Sequence, residues 1–240
     1  MKLVIFDLDG TLTTTVAVDA DSYVRAFADV FGMAGIDTDW SRYRDYTDGG
    51  IAREIFESRR GRKPTPTEME RLISRFTSLL AKAGKQDPSL FSPLAGAGEA
   101  LRRLEADGSF RVAIATGCWL ASARLKLDLA GLDLAHLPLA TSDDAPERAA
   151  ILKLAVERAG KPAGGSWEKQ VYVGDGVWDV RTTRALGLPF LGVGEGAKLE
   201  RMRAEGARHF IPDFRDYPRF LAALQAAEVP SPATASGRDA

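Results

Sequence analysis

Two aspartates two residues apart, Asp7 and Asp9, stand where the apolar run Leu3 to Phe6 stops. That run reads as a buried strand, and strand geometry puts residues i and i+2 on the same side. Carboxylates at the end of a buried strand cost free energy unless a cation or a reaction uses them. In open α/β sheets that end is also where ligands bind. Gly10 then permits a tight turn. An aspartate nucleophile beside a divalent metal is the simplest chemistry for such a pair. Two acids in an exposed turn are the plain alternative. Two further acids, Asp175 and Asp179, follow a second apolar run, Val171 to Val173, and Gly174. The one cysteine, Cys118, excludes an intrachain disulfide and a multi-thiolate zinc site. The two histidines, His136 and His209, are too far apart in sequence to suggest a histidine-rich metal site.

The elements that position these residues follow from the patterning. Further strands are expected over 111–116, 137–141, 171–175 and 189–193, with a short edge strand at 209–211. Helical patterns separate them over 122–129, 146–159, 177–186, 198–205 and 217–227. Strands alternating with helices predict a parallel sheet covered on both faces. The connection between the first two strands is far longer than the dozen or so residues a helical crossover needs. The excess reads as an inserted helical domain, with helices over 19–31, 50–59 and 67–83. Thr65 and Thr67, either side of Pro66, are start signals for the last of these. The chain returns near Ser92-Pro93-Leu94 and enters a core helix over 98–105. The expected division is a core of 1–14 and 93–228, a helical insertion of 15–92, and a mobile Pro-, Ser-, Ala- and Gly-rich tail of 229–240.

The run Asp7-Leu8-Asp9-Gly10-Thr11 resembles the first motif of the haloacid dehalogenase-like hydrolases, most of which are magnesium-dependent phosphatases. Thr116-Gly117 matches the second motif, and Gly174-Asp175-Gly176-Val177-Trp178-Asp179 the acidic fourth. The insertion resembles the C1 cap of that family. The resemblance implies a Rossmann-like α/β core with a helical C1-type cap, and a reaction in which Asp7 attacks phosphorus. It implies that Asp9 handles the protons and that Thr116 and Gly117 bind phosphate oxygens. It implies Mg2+ held by Asp7, the Asp9 carbonyl and Asp175, with Asp179 near the metal or positioning a basic residue. Read alone, Thr116 is more simply a helix N-cap, and a first-turn acid favoured by the helix dipole is a fair reading of Asp179. The third motif needs a Lys or Arg, and here the candidates are Arg148, which opens a helix, and Lys153, more than a turn further on. Arg148 is preferred because the group must reach the strand ends. A loop at Tyr46 to Gly50 offers Asp48 and Gly49 as residues reading the substrate; a plain helix-start turn is the alternative.

The expected activity is phosphoglycolate-phosphatase-like hydrolysis of a small phosphorylated metabolite through an aspartyl-phosphate. A phosphomutase resembling β-phosphoglucomutase and a non-catalytic binding module are the competing readings. A dehalogenase has less need of Asp9. A phosphonate hydrolase would need a cap lysine, and neither Lys63 nor Lys82 has a persuasive context. A net charge of −1 gives no global field to recruit nucleic acid or an anionic membrane. With no signal peptide and no apolar run of membrane-spanning length, a cytoplasmic protein is expected. Cys118 reads as a small pocket-lining side chain, Trp178 as packing or pocket wall, and 59–63 as a solvated basic loop.

Overall fold

The computed structural model describes residues 1–233. Six strands form one parallel sheet: β1 (Lys2–Phe6), β2 (Phe110–Ala115), β3 (Leu139–Ala140), β4 (Lys169–Gly174), β5 (Phe190–Val193) and β6 (Phe210–Ile211), in the order β3-β2-β1-β4-β5-β6. The strand order reverses at β1, so its C-terminal end opens on the crevice where such sheets bind ligands. Alternation along β1 assigns its two faces. Val4 and Phe6 join a hydrophobic cluster with α4 (Ala97–Ala106), α5 (Leu120–Leu129) and α9 (Tyr217–Ala226). Leu3 and Ile5 join the opposite one, with α6 (Arg148–Arg158), α7 (Val177–Leu186) and α8 (Gly196–Ala204). A strand buried on both faces reads as an unbroken apolar run for this reason. Among the described residues no helix is long and apolar enough to cross a membrane.

Three helices, α1 (Val16–Phe31), α2 (Asp48–Arg60) and α3 (Pro66–Gln86), make up the insertion. Thr65 caps α3 in a reciprocal capping box with Glu68, and Pro66 opens the helix. The helices enclose a third hydrophobic cluster built on Phe27, Phe56, Leu72, Phe76 and Leu80. Trp119, just before α5, is buried in this cluster, with Leu125 and Leu129 packed on it. The Trp119 ring stacks on Tyr23 at 5.7 Å and meets Phe76 edge-on at 5.6 Å. The insertion thus shares its apolar interior with a helix of the sheet domain.

The tail departs from expectation at its start. Pro230 is buried, the Ser231 amide donates to Gly206 O at 3.0 Å, and Arg184 reaches Ser231 O at 3.3 Å. These backbone bonds fix residues that composition alone marks as mobile. The rest of the expected tail, 234–240, lies outside the described residues.

Candidate active site

Register brings the motif residues together. Phe6 pairs with Ile114 on one side and Val173 on the other, so the residues following β1, β2 and β4 emerge side by side. Asp7 is buried at the tip of β1, Thr116 at the tip of β2 and Asp175 at the tip of β4. Arg148 opens α6 and is only 7% exposed. A cation at a helix N-terminus opposes the helix dipole, so its place must come from partners. Its Nη2 lies 2.8 Å from Asp7 Oδ2 and 2.8 Å from Asp179 Oδ1, and donates to Tyr172 Oη at 3.1 Å. Its Nε donates to Asp179 Oδ1 at 2.8 Å, and Nη1 to the Tyr46 carbonyl of the insertion at 3.2 Å. Lys153, the other candidate, is exposed.

Asp7, Asp175 and Asp179 each offer an oxygen within 4.8 Å of the others, and all three are buried. Burial pushes the Asp7 carboxyl up to about 8; Arg148 opposes this and Asp179 and Asp175 add to it. Burial likewise raises Asp175 to about 6, against the pull of Lys198. Lys198 pairs with Asp175 Oδ2, while Asp175 Oδ1 is buried without a hydrogen-bond partner. An orphaned carboxylate oxygen in an all-oxygen cluster suits a hard divalent cation. Asp179 is placed differently from Asp175. Its Oδ1 is held by Arg148, and its Oδ2 accepts from the Asp175 and Gly176 amides at 3.0 Å each. Its oxygens are thus committed to positioning Arg148 and the loop, which leaves Asp175 better suited to direct metal binding.

Asp9 faces a second buried cluster. Lys126 on α5 is fully buried, and its ammonium donates to Asp9 Oδ2, to Asp19 Oδ1 at 2.6 Å and to Cys118 Sγ at 3.1 Å. Cys118 Sγ also donates to Asp9 Oδ2 at 2.8 Å, and Thr15 caps Asp9 Oδ1. Burial pushes Asp9 up, but Lys126, Cys118 and Thr15 together hold it below the ordinary carboxylate range. Burial lifts Asp19 to about 6 despite Lys126. The thiol of Cys118 is pushed up, chiefly by burial, so this is not a thiolate site. Sequence reasoning missed Lys126 and Asp19. A signal was present for Lys126: it falls on the stripe of Ala123, Leu127 and Ala130, all buried, and a lysine on an apolar face needs a partner.

A cavity of about 110 Å³ lies above these groups. Asp7, Asp9, Thr116, Gly117, Cys118, Arg148 and Asp175 line its floor. The insertion closes it: Asp48 N donates to Gly117 O at 2.8 Å, and Thr47 Oγ1 to Pro146 O at 2.7 Å. Asp48 lines the cavity and accepts at Oδ2 from Trp119 N at 3.0 Å. Gly49, expected beside it as a reading residue, is placed away from the lining. Its amide donates to Ser142 Oγ at 2.9 Å, and a Cβ there would meet that oxygen at 2.8 Å. Asp48 begins α2, so the segment combines a helix start, capped by Thr47, with a wall of the cavity. Trp178 is also a wall residue.

A doubly covered parallel sheet with a helical cap over carboxylates at its strand ends defines a capped α/β enzyme of the Rossmann-like class. The model of the haloacid dehalogenase-like hydrolases matches residues 1–187, and the chain belongs to that family. Similar solved structures carry the same fold. A hydrolase from Pseudomonas syringae is 22% identical with TM-score 0.71, over 92% of this chain and 98% of that one. CbbY from Rhodobacter sphaeroides, in complex with phosphate, is 19% identical with TM-score 0.65, over 93% and 98%. A predicted phosphoglycolate phosphatase from Haemophilus somnus is 18% identical with TM-score 0.61, over 92% and 98%. No curated protein matches the sequence.

Proposed function

We propose that the protein is a magnesium-dependent phosphatase of small phosphomonoesters that works through an aspartyl-phosphate on Asp7. The observation that carries this is Asp7 at the tip of β1, 2.8 Å from the Arg148 guanidinium and grouped with Asp175 and Asp179. Asp7 Oδ attacks phosphorus and the leaving alcohol departs; water then cleaves the acyl-phosphate. Arg148, Thr116 and the Gly117 amide hold the phosphate oxygens, with Arg148 fixed by Asp179 and Tyr172. Asp7, the Asp9 carbonyl and the free oxygen of Asp175 would hold Mg2+. The ion would offset phosphate charge and keep two anions close together. Asp9 gives a proton to the leaving alcohol and takes one from the attacking water. Held ionised by Lys126, it is set to take the proton of the attacking water, and that proton is the one it gives to the leaving alcohol of the next turnover. The insertion excludes bulk water, which strengthens every charged contact beneath it.

The reading is tested by turnover of an aryl phosphate with and without Mg2+, in the unaltered chain and in Asp7→Asn. Hydrolysis should stop on chelation, return with Mg2+, and fall by roughly 10⁴-fold in the variant. Full activity after exhaustive chelation, or in Asp7→Asn, would reject it.

A further inference from the structure

The phosphate end of the cavity says nothing of the alcohol, but the cap side has a chemical character of its own. Among the described residues, Arg148 is the one cationic side chain lining the cavity, and it stands at the phosphate end, beside Asp7 and Asp179. The cap contributes Asp19, Asp48, Tyr23, Trp40, Tyr46 and Ile51, and no Lys or Arg. Asp48 is 9% exposed, with Oδ2 bonded to Trp119 N and no described group bonded to Oδ1. Two carboxylates of the lining, Asp9 and Asp19, share a single ammonium, that of Lys126, and burial together with Asp19 pushes the nearby Asp48 carboxyl well above the ordinary carboxylate range. The cluster is short of positive charge. Buried negative charge is costly until a proton or a cation pairs with it.

A leaving group carrying a carboxylate or a second phosphate would enter a field of the wrong sign and find no donor cation on the cap side. The N-terminus of α2 does not change this, because its first amides already donate to Gly117 O, Ser142 Oγ and Thr47 Oγ1. A positive group, in contrast, finds an open carboxylate oxygen and aromatic faces. Trp40, Tyr46 and Trp178 line the cavity alongside that oxygen. Ring faces attract ammonium groups, more strongly where water is excluded.

We infer that the substrate is the phosphate monoester of a small amino alcohol, its ammonium read by Asp48 beside the rings of Trp40 and Trp178. This rests on the phosphatase reading above and names the alcohol that reading leaves open.

The test is kcat/KM, with Mg2+, for three two-carbon esters that differ at the far end: phosphoethanolamine, 2-hydroxyethyl phosphate and phosphoglycolate. An aryl phosphate serves as the reference. The ammonium ester should exceed the hydroxyl ester by about tenfold, and the carboxylate ester should be the poorest. Asp48→Asn, which keeps the shape, should bring the ammonium-to-hydroxyl ratio near one, and Trp40→Leu should lower it. Phosphoglycolate or the hydroxyl ester matching or beating the ammonium ester would overturn the inference and leave the phosphatase reading standing. An unchanged ratio in both variants would do the same. Failure of every ester, the aryl phosphate included, would overturn the phosphatase reading and this inference with it.

Discussion

At the scale of residues, the site consists of buried charges, and each is stable only through its neighbours. Lys126 shows this most clearly, since its ammonium is fully buried among Asp9, Asp19 and Cys118. Removing one member of such a cluster leaves uncompensated charge behind. Lys126→Met should therefore lower the free energy of unfolding by about 3–5 kcal/mol, read from urea denaturation at neutral pH. A loss under about 1 kcal/mol would show that the carboxylates do not depend on it. The carboxylates at the strand tips carry a pH signature in the metal-free protein. Folding lifts Asp7 from 3.8 to about 8 and Asp175 from 3.8 to about 6. Between the unfolded and folded values the native chain holds protons that the unfolded chain releases, so stability falls as pH rises through that window. The groups that folding lowers, such as Asp9 and Asp144, lose their contribution only as pH falls through the folded values, below the ordinary carboxylate range. With chelator present, the melting temperature should thus decline from about pH 5 to pH 8. Mg2+ should raise it more at about pH 8 than at pH 5, because protons compete for the same oxygens. Equal Mg2+ stabilisation at both pH values would contradict binding at Asp7 and Asp175.

At the scale of elements, the strands and the α3 cap were legible because their signals are local. Apolar runs ending at Asp7 and Asp175 marked β1 and β4, and Thr65-Pro66 with Glu68 marked the start of α3. The helix over Arg148–Arg158 was legible in outline, but the need that places Arg148 at its first position lies in Asp7 and Asp179, far away in sequence. The dual character of α5 was hidden. Ala123 and Leu127 face the sheet, while Leu125 and Leu129 face the insertion, so its apolar residues do not fall on one stripe. Asp48 and Gly49 are adjacent in sequence, yet only Asp48 lines the cavity, because the Gly49 amide is drawn to Ser142. The seam between α3 and α5 depends on Gly84, where a Cβ would stand 2.7 Å from Leu129 Cδ1 and 3.4 Å from Phe91 Cε2. Gly84→Val should cost about 1–3 kcal/mol by overpacking, despite its better helix propensity. Wild-type thermal stability in this variant would mean that the two helices are free to separate there.

At the scale of the whole molecule, the sheet and the insertion divide the work. The sheet gathers the groups proposed to hold and attack phosphorus, and the insertion supplies the cap-side wall of the cavity. The two halves share the hydrophobic cluster around Trp119, Tyr23 and Phe76, so closure is bound to the packing of α5. The proposed reaction turns on one chemical event, transfer of the phosphoryl group to Asp7, and that event leaves a covalent mark. Acid-quenched samples from early turnover with Mg2+ and an aryl phosphate, digested and analysed by mass spectrometry, should show one phosphoryl group on the peptide containing Asp7. The mark should disappear with hydroxylamine or when chelator replaces Mg2+. Rapid turnover with no phosphoryl group on that peptide at any quench time, or with the group on another residue, would contradict the account.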